Sequence, residues 1–440
     1  MRALWLLLIL MTAIFALFLI GCGDSSDDDD DSEDSGQDDD DSDDDDAVDD
    51  DDSGDDDDLA PRSFQVAAAP MQYKIGDWYI ETTFDFDGFE GMVDLVSMHQ
   101  DFFGVPWDEL LAGQPLPDYW ITEMTQIRDN IDELGAGVFL SLTPLGGLRD
   151  RLAPKPIWKD DHMETEDWSE GCFDFSNSED GAAYTAAYFD YVDWMIDLFK
   201  PQYLATVIEM NMFEFYCPDD WPALVAMQND LYDHIKQLYP DLPVFPTFVL
   251  EQAWGIWGGC ELMDEACLQE KMTGYAAIKK DRFGVSDYPL HKSNEWDWMP
   301  DEYFTKVEDL AGVPLVVGET GYPNQGSTIP QPEGSDTCID LLQSNDTDQA
   351  RYMDQLFTLA QEREWDLVTW WSLRDYLPAD IYLECPCSFD TYWCILYDMI
   401  EEMGLLGAWL GWGAMGVLDF DGNEKPVMDT WEKWIARPVQ

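Results

Sequence analysis

The 440-residue chain carries 93 acidic against 22 basic residues, a formal net charge of −71. Charge of that sign argues against nucleic acid and other polyanions as ligands and leaves a neutral molecule as the partner that fits best. The 46% apolar and 14% aromatic content is ample for the core of one large α/β domain, while the 20 Trp are compatible with core packing or with the walls of a binding cleft.

Arg2, an apolar run from Ala3 to Ile20 and then Gly21-Cys22 read as a signal peptide over residues 1–21. Leu19-Ile20-Gly21-Cys22 resembles the bacterial lipobox, which implies cleavage before Cys22 and its lipidation. An uncleaved anchor is the competing reading, since such a run nearly spans a bilayer. Either way the remainder is expected outside the cytoplasm, held at the bacterial cell envelope by its N-terminus alone.

Residues 22–61 read as a disordered tether. Asp24 to Asp58 holds 24 acidic residues and no basic one, so self-repulsion forbids a packed core, and the run lacks the Asp-x-Asp-x-Asp-Gly spacing of a calcium loop. Without the tether and the signal the chain still carries about −48, which suggests adaptation to high ionic strength, where screening relieves repulsion.

A linker around Leu59 to Pro70 leads to a first predicted strand at Trp78 to Thr83, and a second from Val93 to Met98 ends at His99. Trp107 follows in a loop as a possible cleft wall. Asp118 to Leu134 has helical periodicity that Gly135 terminates. The third strand, Val138 to Leu142, opens into a long loop holding Arg149, Trp158, His162, Trp168 and Cys172. Helix Ala182 to Phe199 stops at Lys200-Pro201, and the fourth strand runs from Tyr203 to Ile208, ending at Glu209 with Asn211 two residues on.

Helices at Trp221 to Tyr239, Ala266 to Lys280 and Asp301 to Leu310 then alternate with strands at Pro243 to Val249, Phe283 to Asp287 and Val313 to Val317. The last of these ends at Gly318-Glu319. Helix Asp346 to Glu364 precedes an eighth strand, Asp366 to Ser372, carrying Trp370-Trp371, and a final helix lies near Thr430 to Ala436. Eight strands alternating with helices predict an α/β fold of the (β/α)8 TIM-barrel type over residues 72–437, whose chemistry sits at the C-terminal lip of the strands. Glu209 and Glu319 each stand at such a lip.

Beyond Cys22, eight cysteines remain, an even number that favours disulfides outside the cytoplasm. Barrel adjacency pairs Cys172 with Cys217 across neighbouring loops and Cys260 with Cys267 locally, leaving Cys338, Cys385, Cys387 and Cys394 for two more bridges. Zinc competes weakly, because no paired Cys-x-x-Cys framework exists and only four His are present; no metal or cofactor is expected. Trp107, Trp254, Trp257, Trp296 and Trp298 fall in loops at the lip, where each either lines a cleft or caps the core.

Glu209, Ser286-Asp287-Tyr288-Pro289, Gly318-Glu319-Thr320-Gly321-Tyr322-Pro323, Trp370-Trp371 and the closing Asp421-Gly422-Asn423-Glu424-Lys425-Pro426 together resemble the glycoside hydrolases of clan A. The nearest flavour is the arabinogalactan endo-β-1,4-galactanase family. The resemblance implies Glu209 as general acid/base, Glu319 as nucleophile, Tyr288 as a hydrogen-bond support for the nucleophile, and Trp370 or Trp371 as the platform under the sugar. It also implies a retaining reaction on a polysaccharide or oligosaccharide, with carboxyl groups about 5 to 5.5 Å apart.

Two departures mark the chain. Ile208 stands where the clan carries an Asn just before the acid/base, so Asn211 is the candidate to reach the sugar instead, and His99 or Arg374 would substitute for the usual basic residue beside the nucleophile. A glycan-binding barrel without catalysis and a tethered structural lipoprotein are therefore carried alongside the enzyme reading.

Overall fold

The computed structural model describes residues 60–75, 80–100, 103–159, 162–176, 178–261, 263–289, 300, 302–330, 338–342, 344–375 and 413–440. The signal peptide, Cys22, almost all of the tether, Trp296, Trp298, Cys385, Cys387 and Cys394 lie outside them.

Eight parallel strands follow one another around a ring: β1 (Gln65–Ala68), β2 (Leu95–His99), β3 (Gly137–Ser141), β4 (Tyr203–Ala205), β5 in two pieces (Val244–Phe245 and Thr247–Val249), β6 (Phe283–Asp287), β7 (Leu315–Thr320) and β8 (Leu367–Trp370). Pro246 lacks an N–H, which interrupts the ladder between the two pieces of β5. The first piece pairs with β4 and the second with β6, while β1 pairs with both β8 and β2, so the sheet closes as a barrel.

Alternation along the strands separates two apolar sets. Ala67, Leu95, Phe139, Ala205, Phe245, Val316 and Leu367 form a cluster inside the barrel, where the Phe139 and Phe245 rings stack 6.0 Å apart. Their strand neighbours Val66, Val96, Leu140, Leu204, Val317 and Val368 belong to the larger core between barrel and helices.

Those helices are α1 (Asp118–Leu134), α2 (Glu179–Phe199), α3 (Met210–Tyr216), α4 (Trp221–Leu238), α5 (Glu265–Tyr275), α6 (Glu302–Ala311), α7 (Asp346–Glu362) and α8 (Met428–Ile435). Side chains cap several of them: Ser178 accepts from the Gly181 N–H, Asp264 from Ala266 and Cys267, and Asn345 from Thr347 and Asp348. Gly135, at φ 68°, ends α1 in the left-handed region where glycine is unstrained.

The first barrel strand is not the one expected. Trp78 to Thr83 reads as a strand, but Ile80–Phe84 pairs antiparallel with Met71–Ile75 as a hairpin outside the ring. The ring starts earlier, at Gln65–Ala68, so the domain begins before the expected residue 72. Arg62 clasps that start: its guanidinium reaches both oxygens of Asp94 at 2.5 and 2.7 Å and the carbonyls of Phe64 and Arg437. Asp94 also accepts from the Val66 N–H, so one carboxylate ties the first strand to the approach of the second.

Disulfides join Cys172 to Cys217 and Cys260 to Cys267, as barrel adjacency predicts. The backbone of Cys338 belongs to a hairpin of Ser327–Pro330 with Cys338–Leu342, whose side chains are outside the described set. Among the described residues no cluster of His, Cys, Asp or Glu could hold a metal ion, and no helix is long and apolar enough to cross a membrane.

Candidate active site

Glu319 owes its position to a break in register. Val285 pairs with Val317, but the next partner of Ser286 is Glu319, so Gly318 is an extra residue in β7. Val316 faces the barrel interior, and a Cβ on Gly318 would also meet interior groups, Phe139 Cζ among them, 3.7 Å away. Plain alternation would then turn Glu319 out to the helices. The extra residue resets the phase, so Glu319 faces inward while Thr320 faces outward and bonds the Tyr352 hydroxyl of α7 at 2.6 Å.

Both oxygens of Glu319 have partners. His99, at the end of β2, places Nε2 3.0 Å from Oε2, and the Tyr288 hydroxyl, one residue past β6, donates to Oε1. Ordinary alternation delivers these two: His99 is in phase with the interior Leu95, and Tyr288 with Gly284, whose added Cβ would press on interior Phe245. His99 packs edge-on against Trp371, ring centroids 4.9 Å apart. The Glu319 side chain keeps 11% of its surface exposed.

Glu209 sits across the mouth, beyond β4. Its backbone is left-handed, φ 49° and ψ 44°, a conformation that a non-glycine residue adopts only when its surroundings hold it there. Two groups do so. The Glu209 N–H donates to Thr247 Oγ1 on β5 at 2.8 Å, and Arg149 Nη2 lies 3.1 Å from Glu209 Oε2. Arg149 is buried, itself at φ 59°, and donates through Nη1 to the Gly146 carbonyl. The Cys172–Cys217 bridge and the contact of Cys217 Sγ with the Asp150 carbonyl fasten this loop to the end of α3.

Other expected site residues are placed elsewhere. Trp107 is fully buried, donates to the Ala153 carbonyl at 2.8 Å and packs on Tyr184 and Tyr188, which makes it core and not a cleft wall. Asn211 is fully buried with both amide ends on Val249, accepting its N–H and donating to its carbonyl, so it braces the end of β5 and does not reach a ligand. Arg374 pairs with Asp85 at 2.5 Å and donates to the Phe420 carbonyl, which makes it a clasp for the closing segment. Trp370 is turned to α7, donating to the Met415 carbonyl and packing on Tyr352. Trp371, just past the end of β8, is the one of the two tryptophans that packs against His99. Trp254 is core and stacks on Tyr303, whereas Trp257 is 47% exposed.

Arg149 and Thr247 are the contributors that a reading of the residues missed. Arg149 lies in a loop whose course no periodicity predicts, and Thr247 resembles any β-branched strand residue until its partner is known.

No protein-family profile matches the chain, and neither does any curated protein sequence. Among solved structures it is similar to the GH5_18 protein of Bifidobacterium longum in complex with Manβ1-4GlcNAc, at 13% identity and TM-score 0.48, over 80% of this chain and 72% of that one. It is similar also to a fungal β-1,4-galactanase, at 13% identity and TM-score 0.46, over 78% of this chain and 89% of that one. A third is the exo-β-1,4-mannosidase of Opitutaceae bacterium strain TAV5, at 12% identity and TM-score 0.49, over 86% and 60%.

Proposed function

We propose that the chain is a retaining glycoside hydrolase acting on a neutral β-linked polysaccharide. The observation that carries this reading is the pinning of Glu319 by His99 and Tyr288 on the same barrel lip as Glu209, itself held by Arg149 and Thr247. A nucleophilic carboxylate must be held still and aimed, and an acid/base must stand at the same mouth. In this reading Glu319 attacks the anomeric carbon while Glu209 protonates the departing oxygen; water activated by Glu209 then hydrolyses the glycosyl ester, restoring both groups. Trp371 supplies the wall beside the sugar at the cleavage point.

The strongly acidic surface supports a neutral ligand, since a polyanion would be repelled. The reading includes lipidation of Cys22 and display from the bacterial envelope on the Asp-rich tether, which a diacylated Cys22 found by mass spectrometry of the mature N-terminus would test. Incubation with β-linked galactan, mannan, glucan and xylan tests the activity. Release of sugars with the anomeric configuration retained is expected; no product from any of the four overturns it.

A glycan-binding barrel without catalysis is the second reading. Ile208, buried, occupies the position of the clan's sugar-binding Asn, and Asn211 does not replace it, so no amide from this strand end serves the sugar 2-hydroxyl. Binding to one of the four polymers without cleavage would decide for it.

A further inference from the structure

Few large aromatic side chains are exposed among the described residues, and three of them gather at one place. Phe215 and Tyr216 end α3, Trp257 lies in the turn Ile256–Gly258 beyond β5, and the three are 40, 41 and 47% exposed. The Phe215 ring meets Tyr216 edge-on with centroids 5.0 Å apart and Trp257 edge-on at 6.0 Å. Single exposed aromatics need no explanation, but a cluster that stays in water marks a binding surface.

Its position is set by Glu209. That residue is the N-terminal boundary of α3, a seven-residue helix about 10 Å long, and Tyr216 is its last residue. The charge of Glu209 is felt at the far end: burial first, then the charges of Asp150 and Glu209, raise the Tyr216 phenol above its ordinary range.

Both disulfides anchor the cluster. Cys217 follows Tyr216 directly and is bridged to Cys172, whereas Cys260 closes the Trp257 turn through its N–H on the Gly255 carbonyl and its bridge to Cys267. A platform fixed in this way loses little freedom on binding. Planar rings exposed on a strongly acidic domain suit a neutral ligand with apolar C–H faces, which is what a sugar ring offers.

We infer that Phe215, Tyr216 and Trp257 form a subsite for the neutral β-linked glycan on its leaving-group side, receiving the sugar units that lie beyond Glu209. The inference rests on the proposed assignment of Glu209 as the group that protonates the departing oxygen, because that assignment decides which end of the glycan passes over α3.

The test uses the full chain and the Phe215→Ala/Trp257→Ala variant, with Phe215→Tyr/Trp257→Phe as the ring-preserving control. The substrates are an aryl β-monoglycoside and β-1,4-linked oligosaccharides of increasing length. Loss of the rings should lower the ratio of kcat/KM on long substrates to that on the monoglycoside by roughly tenfold, and the control should recover most of it. A ratio that does not move while the wild type cleaves the monoglycoside overturns the subsite and leaves the glycosidase reading standing. If the wild type cleaves nothing, that reading falls and the leaving-group side of the inference with it; oligosaccharide titration followed by tryptophan fluorescence then decides whether the rings hold a glycan at all: weaker binding in the Phe215→Ala/Trp257→Ala variant supports that part, equal binding or none overturns it. Self-association in sedimentation that disappears with the rings would assign the surface to a second copy and overturn it as well.

Discussion

Thr247 Oγ1 accepts the backbone N–H of Glu209 at 2.8 Å, while the Thr247 methyl lies 3.0 Å from where a Cβ on Gly318 would stand. One β-branched side chain on β5 therefore links the two backbones that carry the carboxylates, bonded to the N–H of Glu209 and packed against the residue preceding Glu319. The left-handed backbone of Glu209 explains why such a bond is needed: this conformation costs of order 1–3 kcal/mol and holds only while its surroundings enforce it.

Thr247→Val keeps the shape and removes the acceptor. The stranded N–H should lower stability by about 1–3 kcal/mol, and kcat should fall because Glu209 is released to other conformations. Thr247→Ser restores the acceptor and should restore kcat. Equal kcat for Thr247→Val and wild type, at unchanged KM, would show that the bond does not position Glu209.

The same neighbourhood shows what the residues alone disclose. The bounds of β6 and α1 are legible because period-two and helical patterns run to clear breakers, Tyr288-Pro289 and Gly135. β1 is not: Gln65–Ala68 is short and Ala-rich, whereas the aromatic and β-branched run at Trp78 to Thr83 has stronger strand character, and its described part from Ile80 on pairs outside the barrel. Glu209 and Glu319 can be picked out as carboxylates at strand ends, but which way they face depends on a bulge at Gly318 and a positive φ at residue 209, and neither leaves a periodic trace. Asn211 illustrates the converse: a polar residue near a lip is as readily taken by the backbone of the next strand as by a ligand.

A second prediction concerns the acidic surface. Removal of residues 1–61 keeps Arg62, and with it the clasp on Asp94, so the truncated chain should fold and keep its activity. With about −48 charges remaining, its melting temperature should rise between low and molar NaCl as self-repulsion is screened. A flat or falling melting temperature, followed by circular dichroism, would contradict this.

The third prediction concerns the segment that follows β8. Lys425 Nζ lies 2.8 and 3.1 Å from the two oxygens of Asp375 and donates to the Ala414 carbonyl, while the Gly416 N–H donates to Asp375 Oδ1. Both side chains are buried. Lys425→Met leaves a buried carboxylate uncompensated and should lower stability by about 3–5 kcal/mol; adding Asp375→Leu should recover part of the loss. Recovery stays incomplete because Gly416 and Ala414 lose partners. Burial pushes Asp375 from its ordinary 3.8 up to about 6. The folded state then binds this proton more tightly than the unfolded one, so the stability contributed by Asp375 declines from about pH 4 to about pH 6 and is level above. Denaturant unfolding of wild type and Asp375→Asn should show their difference shrinking over that window. A difference constant from pH 4 to pH 8 would contradict the assignment.

The last prediction is the division of labour between the carboxylates. Glu319→Gln should abolish turnover of every glycoside while leaving fold and glycan binding in place, because an amide cannot form the glycosyl ester. Tyr288→Phe removes one of the two partners of Glu319 and should lower kcat with a smaller effect on KM. Glu209→Ala should behave in a third way. Its activity on polysaccharide should collapse for want of an acid, but an activated aryl glycoside needs little protonation and should still form the intermediate. With no base to activate water, the intermediate should accumulate, and added azide should release it as a β-glycosyl azide of retained configuration. Azide enters because it needs no deprotonation and because removal of the Glu209 side chain opens space beside Arg149. An α-configured azide product would signal single displacement and contradict Glu319 as nucleophile. Near wild-type turnover in both Glu319→Gln and Glu209→Ala would refute the pair.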